Sequence, residues 1–354
     1  MLAYALLALV PVALGLEYLG AGPVWVFLAG AAAIAVLADW VRRGTEQLAK
    51  RAGPTIGGLL NVSFGSLAET ILALFVLLSG QVRVVQAQIT GSIIGTGLLG
   101  LGLAALVGGI GRERQRFSRA NAGLLSTLLI LLVAALVLPA VFDVTERASQ
   151  SEAATSVTAE ELSLGISAVL LVLYGANLLY TLVTHRDVFG GDERVGDPEW
   201  SLARSLGVMV GGTAAVALVA EAVSGALSSA AGQLGLSPVF LGVVPLAVVG
   251  TAADLFAAVS FARQDRMGIV FSICIGSAVQ VALVVAPLLV LLSWALGSPM
   301  DLVFRSPLEL FAVACAAFVV RAVAADGETT WFEGLLLVGV YVMLALAFFF
   351  VGPA

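Results

Sequence analysis

The sequence predicts an all-α, polytopic membrane protein of about eleven transmembrane helices, and three observations support this. Of 354 residues, 60% are hydrophobic and 11% are charged, whereas soluble domains average about 25% charged residues. The apolar residues form long blocks, and about 18 apolar residues in a row suffice to cross a bilayer as a helix. The alternating segments of about ten residues that mark a transmembrane β-barrel are missing from the sequence. The predicted spans are 2–19, 23–41, 54–79, 86–110, 121–142, 162–184, 205–229, 237–261, 268–296, 307–325 and 331–352.

The remaining composition narrows the class further. A net charge of −6 argues against nucleic-acid binding. Cys274 and Cys315 lie inside apolar blocks, which indicates buried small hydrophobic residues and leaves no disulfide framework or zinc spacing. The first apolar block lacks a basic leader and a small-residue cleavage site, so we expect it to be retained as a helix.

The cations predict the orientation in the membrane. Thirteen of the seventeen Lys and Arg residues fall in the loops that follow spans 2, 4, 6 and 8, and Arg321 lies near the end of span 10, beside the loop that follows it. By the positive-inside rule these loops are cytoplasmic, so the N-terminus is inside and the C-terminus outside a cell membrane. The opposite loops carry only Arg83, Arg147 and Arg305.

An internal repeat relates the third and eighth spans. Gly65-Ser66-Leu67-Ala68-Glu69 and Gly250-Thr251-Ala252-Ala253-Asp254 are 185 positions apart, and Gly91-Ser92 and Gly276-Ser277 have the same offset. Because five spans separate the copies, the second copy must enter the membrane from the opposite face. Inverted repeats of this kind are typical of secondary transporters, with the substrate site at the midplane between the copies.

The repeat defines a predicted domain organisation. An extra N-terminal helix at 1–22 precedes a first five-helix repeat at 23–184, whose motif lies at 57–96. A cytoplasmic polar linker at 185–204 leads to a second five-helix repeat at 205–354, whose motif lies at 245–280. The linker is acidic and is either a solvated loop or a regulatory segment.

Two acidic residues at repeat-related positions are the main candidates for chemistry. Glu69 and Asp254 lie near the middle of apolar spans, where an ionised side chain costs roughly 2.5–3.5 kcal/mol on insertion scales. Such residues by default mark an ion pathway. The alternative is that each carboxyl is protonated and hydrogen-bonds across helices.

The neighbours of the two acids suit a hard cation. Asn61 and Gly65 share one helix face with Glu69, and Ser66 and Thr251 precede the acids by three residues. Gly65 and Gly250 weaken their helices and could free carbonyl oxygens. Carboxylates, hydroxyls and carbonyls together favour Ca²⁺ or a similar divalent cation as transported ion, with no cofactor. A secondary polar lining comprises Gln88, Ser92, Thr96, Ser277, Gln280 and Glu221, of which Gln88, Thr96 and Gln280 could equally form hydrogen bonds between helices.

These motifs resemble those of the Ca²⁺/H⁺ antiporters. The run from Gly57 to Gly65 followed by Glu69 looks like the first signature of that family, and the runs from Gly250 to Asp254 and from Gly276 to Gln280 look like the second. Further matches lie at 182–185 and 326–334, so the resemblance covers nearly the whole chain. It implies an eleven-helix inverted fold and exchange of Ca²⁺ for H⁺.

Some positions depart from that family. It usually has Asn at the positions of Ser66 and Thr251 and Glu at that of Asp254, and the hydroxyls lean towards the related Na⁺/Ca²⁺ exchangers. Those usually carry Pro just before the acid, where this chain has Ala68 and Ala253. The sequence therefore predicts a non-enzymatic antiporter that exports Ca²⁺ for H⁺ across the bilayer, with Na⁺/Ca²⁺ exchange as the alternative. A cation channel and an intramembrane hydrolase are the rivals from other classes.

Overall fold

A computed structural model describes residues 5–147, 152–184, 197–304 and 306–351. The described chain is helical apart from loops and one two-stranded sheet, and eight of its helices are long and apolar enough to cross a membrane. The prediction of an all-α, polytopic membrane protein is confirmed. The helices are α1 (Leu9–Tyr18), α2 (Pro23–Phe64), α3 (Leu67–Leu78), α4 (Val82–Ile94), α5 (Leu101–Gly109), α6 (Arg119–Arg147), α7 (Glu152–Leu179), α8 (Leu202–Leu234), α9 (Pro238–Leu241), α10 (Ala247–Arg263), α11 (Met267–Gln280), α12 (Ala286–Ala295), α13 (Pro307–Val323) and α14 (Trp331–Phe350).

Short π-helical turns join several of these helices into longer spans. They cover Gly95–Gly100, Tyr180–Thr184, Gly242–Leu246 and Val281–Val285. A π turn inserts one residue into the helical ladder and is often found at functional sites. Thus α4 with α5, and α11 with α12, each form one interrupted span.

The prediction that the third span is a single helix over 54–79 was wrong, because the structure has two helices in this range. Helix α2 runs on to Phe64, and α3 starts afresh at Leu67. Helix α2 is also sharply bent. Its bend is shown by Gly57, which lies so close to Ala49 that a Cβ on Gly57 would collide with the backbone carbonyl of Ala49. Residues eight apart in a straight helix are about 12 Å apart, so the axis must turn between these two positions.

The chain forms two compact units. Unit 1 contains Met1–Gln88, Leu178–Ala253 and Phe349–Ala354, and unit 2 contains Ile89–Asn177 and Asp254–Phe348. Each unit takes helices from both predicted repeats. The two units defined by internal contacts are therefore not the same as the two repeats predicted from the sequence.

In unit 1, α2 and α8 pack closely through small residues. A Cβ on Gly44 would lie 3.2 Å from the carbonyl oxygen of Ser205, and one on Gly212 would lie 2.8 Å from Val41. Small residues let membrane helices approach in this way. Ahead of α8, the amide of Glu199 donates a 2.8 Å hydrogen bond to Gln47 on α2.

In unit 2, the loops after α5 and α13 form a two-stranded antiparallel sheet. Strand β1 (Gln115–Arg116) pairs with β2 (Glu328–Thr329), with Gln115 opposite Thr329 and Arg116 opposite Glu328. Glu328 accepts from Arg114 at 2.8 Å and from Arg116 at 3.1 Å. The hydrogen bond from Arg114 is the main reason that the pKa of the Glu328 carboxyl is lowered.

Local backbone geometry recurs at the 185-residue offset of the sequence repeat. Helices α4 and α11 begin at Val82 and Met267. Two residues earlier, Gly80 and Asp265 both adopt a positive φ, of 78° and 62°. The π turns at Gly95–Gly100 and Val281–Val285 also correspond. These correspondences support the repeat that the sequence predicts.

Candidate ion-exchange site

Glu69 lies in the first turn of α3, three residues after the N-cap Ser66. The chain leaves helical geometry at Gly65 and Ser66, where a glycine weakens the helix. Glu69 is only 3% exposed. A carboxylate in the first turn of a helix faces the unpaired amide groups of the helix start, and it is stabilised there by the helix dipole.

Gly250 brings the second motif against the first within unit 1. A Cβ on Gly250 would lie 3.0 Å from Cγ and 3.4 Å from Cβ of Glu69. The absence of a side chain at this position therefore gives Glu69 its space. The expectation of a local opening at Gly250 was wrong, because this residue lies inside the continuous helix α10.

Asp254 follows Gly250 by one turn of α10 and is half-buried in unit 2. The π turn at Gly242–Leu246 comes just before α10. Cys274 on α11 is buried in the same unit.

Two hydroxyls of the predicted site are presented as acceptors. Thr251 is buried and donates to the carbonyl of Ala247 at 2.8 Å. Thr96 donates to the carbonyl of Ser92, also at 2.8 Å. Because each hydroxyl proton is used within its own helix, the oxygen lone pairs stay available to a cation. Ser66 is buried, and its side chain makes no capping hydrogen bond.

The predicted secondary lining divides into buried and exposed residues. Ser92, Thr96 and Ser277 are buried and Gln280 is half-buried. Gln88 is buried, and its backbone nitrogen would lie 2.9 Å from a Cβ on Gly242.

Glu221 and Asn61 fall outside this buried group for different reasons. Glu221 is exposed on α8, while its carbonyl accepts from Ser224. The side chain of Asn61 lies outside the described part of the structure.

Two buried acids were not among the predicted site residues, and Glu309 was expected at the membrane interface. Glu309 is 1% exposed in the first turn of α13, and Asp143 is 5% exposed near the end of α6. Each lies close to a predicted span end, where an acidic residue usually faces the membrane surface. Neither has a repeat-related acidic partner inside a span, so the strongest sequence signal was missing. Among the described residues, no group of three or more His, Cys, Asp or Glu residues could hold a resident metal.

The fold and its paired acidic motifs define a multi-pass membrane exchanger. The sodium/calcium exchanger protein family matches residues 22–183 and 204–350, and the chain belongs to that family. A Ca²⁺/H⁺ antiporter of Aphanothece halophytica is 38% identical over 98% of this chain and 96% of its own. The Ca²⁺/H⁺ antiporter ChaA of Bacillus subtilis is 39% identical over 89% of both chains. The crystal structure of the Ca²⁺/H⁺ antiporter protein YfkE has a TM-score of 0.85 at 34% identity and covers 99% of both chains.

Proposed function

We propose that this protein is a secondary active antiporter that exchanges Ca²⁺ for H⁺. The observation that carries the proposal is the near full-length similarity to Ca²⁺/H⁺ antiporters, at 38–39% identity. The packing of Gly250 on buried Glu69 adds local support, because it brings together the two motifs that resemble the signatures of that family.

The proposed site consists of Glu69 and Asp254, with Ser66, Thr251 and Asn61 contributing oxygens. Two carboxylates neutralise one divalent cation, and six to eight oxygens in flexible geometry are what Ca²⁺ prefers. Protons and Ca²⁺ then compete for the same carboxylate oxygens, and this competition couples the two flows. Alternating access exposes the site first to one side of the membrane and then to the other.

Protons are favoured over Na⁺ as the coupling ion. Burial among apolar helices makes the protonated form of a carboxyl accessible without any additional ligand. A Na⁺ site needs several oxygens around each ion, and the buried hydroxyls of Ser66 and Thr251 could supply some of them. Na⁺/Ca²⁺ exchange is therefore the second candidate.

The proposed location is a cell membrane with the N-terminus inside. Fourteen of seventeen cations lie on the loops assigned to the cytoplasm or, for Arg321, at the span end beside one. Of these, Arg112, Arg114 and Arg116 form hydrogen bonds in the loop segments around the two-stranded sheet. In this orientation Ca²⁺ leaves the cell as protons enter.

Transport by inside-out vesicles tests the proposal. An acidic lumen should drive Ca²⁺ uptake whether or not Na⁺ is present, and a higher external pH should increase the apparent affinity for Ca²⁺. Uptake that requires a Na⁺ gradient and survives collapse of the proton gradient would assign the chain to Na⁺/Ca²⁺ exchange. Ca²⁺ flux that needs no counter-ion would indicate a channel.

A further inference from the structure

A cavity of about 500 Å³ lies in unit 2 between the last turns of α6 and the start of α13. Pro139 lies inside α6 directly before the cavity. A proline within a helix removes one backbone hydrogen bond and bends the axis, so a gap beside α13 is expected at this point. Apolar side chains, including those of Val144 and Leu310, line most of the cavity, and the polar residues among its described lining are Asp143 and Thr145.

The cavity lies at the end of a membrane span. Helix α6 is long and apolar enough to cross a bilayer over Arg119–Thr145. Arg119 and Asp143 are about 36 Å apart along the helix axis, and the hydrocarbon core of a bilayer is about 30 Å thick. With Arg119 at one interface, Asp143 and Thr145 therefore reach the headgroups of the opposite leaflet, whereas Ala140, which also lines the cavity, borders the hydrocarbon.

The polar end of the cavity presents hydrogen-bond acceptors. The hydroxyl of Thr145 donates to the carbonyl of Val141 at 2.9 Å, so its oxygen keeps lone pairs for an incoming donor. Asp143 adds a carboxylate, the acceptor that forms strong hydrogen bonds with cationic N–H groups. Helix α6 ends at Arg147, so residues of both charges close this span. A headgroup that combines an ammonium with a phosphate matches such an end better than a simple cation does.

The size and lining of the cavity suit an amphiphile. Sites for small ligands usually measure about 300–1,000 Å³ and are mostly apolar with a few polar groups. Val144 is 71% exposed, so a lipid chain reaches the cavity from the bilayer without passing through the protein. Because lipid tails are as apolar as these side chains, the apolar contacts hold a chain without selecting one. Selection therefore rests on the headgroup contacts of Asp143 and Thr145.

We propose that this cavity binds a phospholipid with a primary ammonium in its headgroup, namely phosphatidylethanolamine. Its ammonium donates to Asp143 and Thr145, and one acyl chain lies along Val144 and Leu310. A choline headgroup offers no N–H to these acceptors, and an anionic glycerol headgroup places net negative charge beside the carboxylate. The lipid site goes beyond the proposed exchange function and does not depend on it.

Native mass spectrometry of the full chain in detergent tests the headgroup contacts. After delipidation, the protein is titrated with phosphatidylethanolamine, phosphatidylcholine or phosphatidylglycerol that carry identical acyl chains. We expect the unaltered protein to bind phosphatidylethanolamine about tenfold more tightly than the other two, the equivalent of one hydrogen bond to a charged group. Asp143→Asn should reduce this preference to about twofold, because the charge is lost. Glu161→Gln, which changes an exposed acid of α7, is the matched control and should keep the preference.

A second pair of variants tests the cavity itself. Val144→Trp fills the cavity mouth with a large side chain and should weaken the binding of all three lipids about tenfold, the loss of one such contact. Val172→Trp on α7 is the matched control, because Val172 is also 71% exposed and does not line the cavity. It should leave lipid binding unchanged.

The outcomes decide the proposal without any measurement of ion flux. Equal affinities for the ethanolamine and choline lipids would overturn recognition of the ammonium, as would tighter binding of phosphatidylglycerol or an unchanged preference in Asp143→Asn. Full binding of phosphatidylethanolamine by Val144→Trp would place the lipid elsewhere. If Asp143→Asn fails to fold, Thr145→Val at an exposed position gives the same comparison and should lower the preference about threefold. Failure of Ca²⁺/H⁺ exchange would leave the lipid site standing.

Discussion

The motifs at 65–69 and 250–254 have the same spacing of glycine, hydroxyl and acid, but the backbones of their helices, α3 and α10, differ. Helix α3 begins at Leu67, so Glu69 lies in a first helical turn. Helix α10 runs unbroken from Ala247 to Arg263, and Asp254 lies in its interior. The interruption nearest to Asp254 is the π turn that ends at Leu246. The two related motifs therefore present their acids differently, one in a first helical turn and the other inside a helix.

The hairpin turns that follow these helices differ as well. Gly80 and Asp265 occupy the same repeat position with positive φ, but only Asp265 carries a side chain, which approaches Arg112 at 3.8 Å. Glycine adopts this conformation freely, whereas an L-residue there is strained. The second copy thus accepts strain at a position where it gains a charged contact.

The largest expected effect tests whether the two acids are functionally equal despite their different helices. Glu69→Gln and Asp254→Asn should each reduce proton-driven Ca²⁺ exchange to the level of protein-free vesicles, because both carboxylates are proposed ligands. Removing a charge from an apolar span should leave the fold intact. Size-exclusion profiles and thermal unfolding serve as controls. Near-normal Ca²⁺ flux in either variant would end the case for a shared pair.

A smaller effect is expected at the contact between the two motifs. Gly250→Ala would place a Cβ 3.0 Å from Cγ of Glu69 and so displace that side chain. Since a small displacement of a ligand is expensive, the Ca²⁺ concentration for half-maximal uptake should rise about tenfold. Gly276→Ala is the matched control, because a Cβ on Gly276 would meet no atom within 4 Å. Equal affinities for the two variants would show that Gly250 does not position Glu69.

The hairpin turns should respond to substitution in opposite directions. Gly80→Ala forces a side chain into a left-handed conformation and should destabilise the protein by about 1–2 kcal/mol. Asp265→Gly relieves the same kind of strain but loses the contact with Arg112, so its net gain should be below about 1 kcal/mol. Thermal unfolding in detergent measures both. A stabilising Gly80→Ala substitution would contradict the strain argument.

The smallest expected effect on stability concerns the loops that follow α5 and α12. After α5 the loop is held by charge, from Arg114 and Arg116 to Glu328. After α12 it is held by neutral bonds, with the amides of Met300 and Leu302 donating to Ser293 and Ser163 at 2.8 and 3.0 Å.

Because the folded-state pKa of Glu328 is lowered, mainly by the Arg114 hydrogen bond, its stabilisation is present above the ordinary carboxyl pKa. It is lost as pH falls through the lowered value. Glu328→Gln should therefore lower the unfolding midpoint slightly at neutral pH and leave it unchanged in acid. Ser163→Ala should cause a shift that does not depend on pH. A pH-independent shift for Glu328→Gln would show that charge does not hold the first loop.

Much of this protein was determined by its sequence alone. Long apolar blocks indicate transmembrane helices, because in lipid every backbone N–H and C=O group must be hydrogen-bonded within the protein, and a helix achieves this within one segment. The repeated acids at Glu69 and Asp254 were visible for the same reason, since charge inside an apolar span is rare. Both signals are local and can be read along the chain.

Tertiary structure alone decided how those residues are used. The contact of Gly250 with Glu69 and the burial of Glu309 depend on segments far apart in sequence. The opposition of Gln115 and Thr329 depends on two loops more than 200 residues apart. Hydropathy reports whether a segment enters the membrane, but it carries no information on which neighbour covers each face. Packing makes that choice, because each helix stripe and each buried polar group must find its partner among all the others.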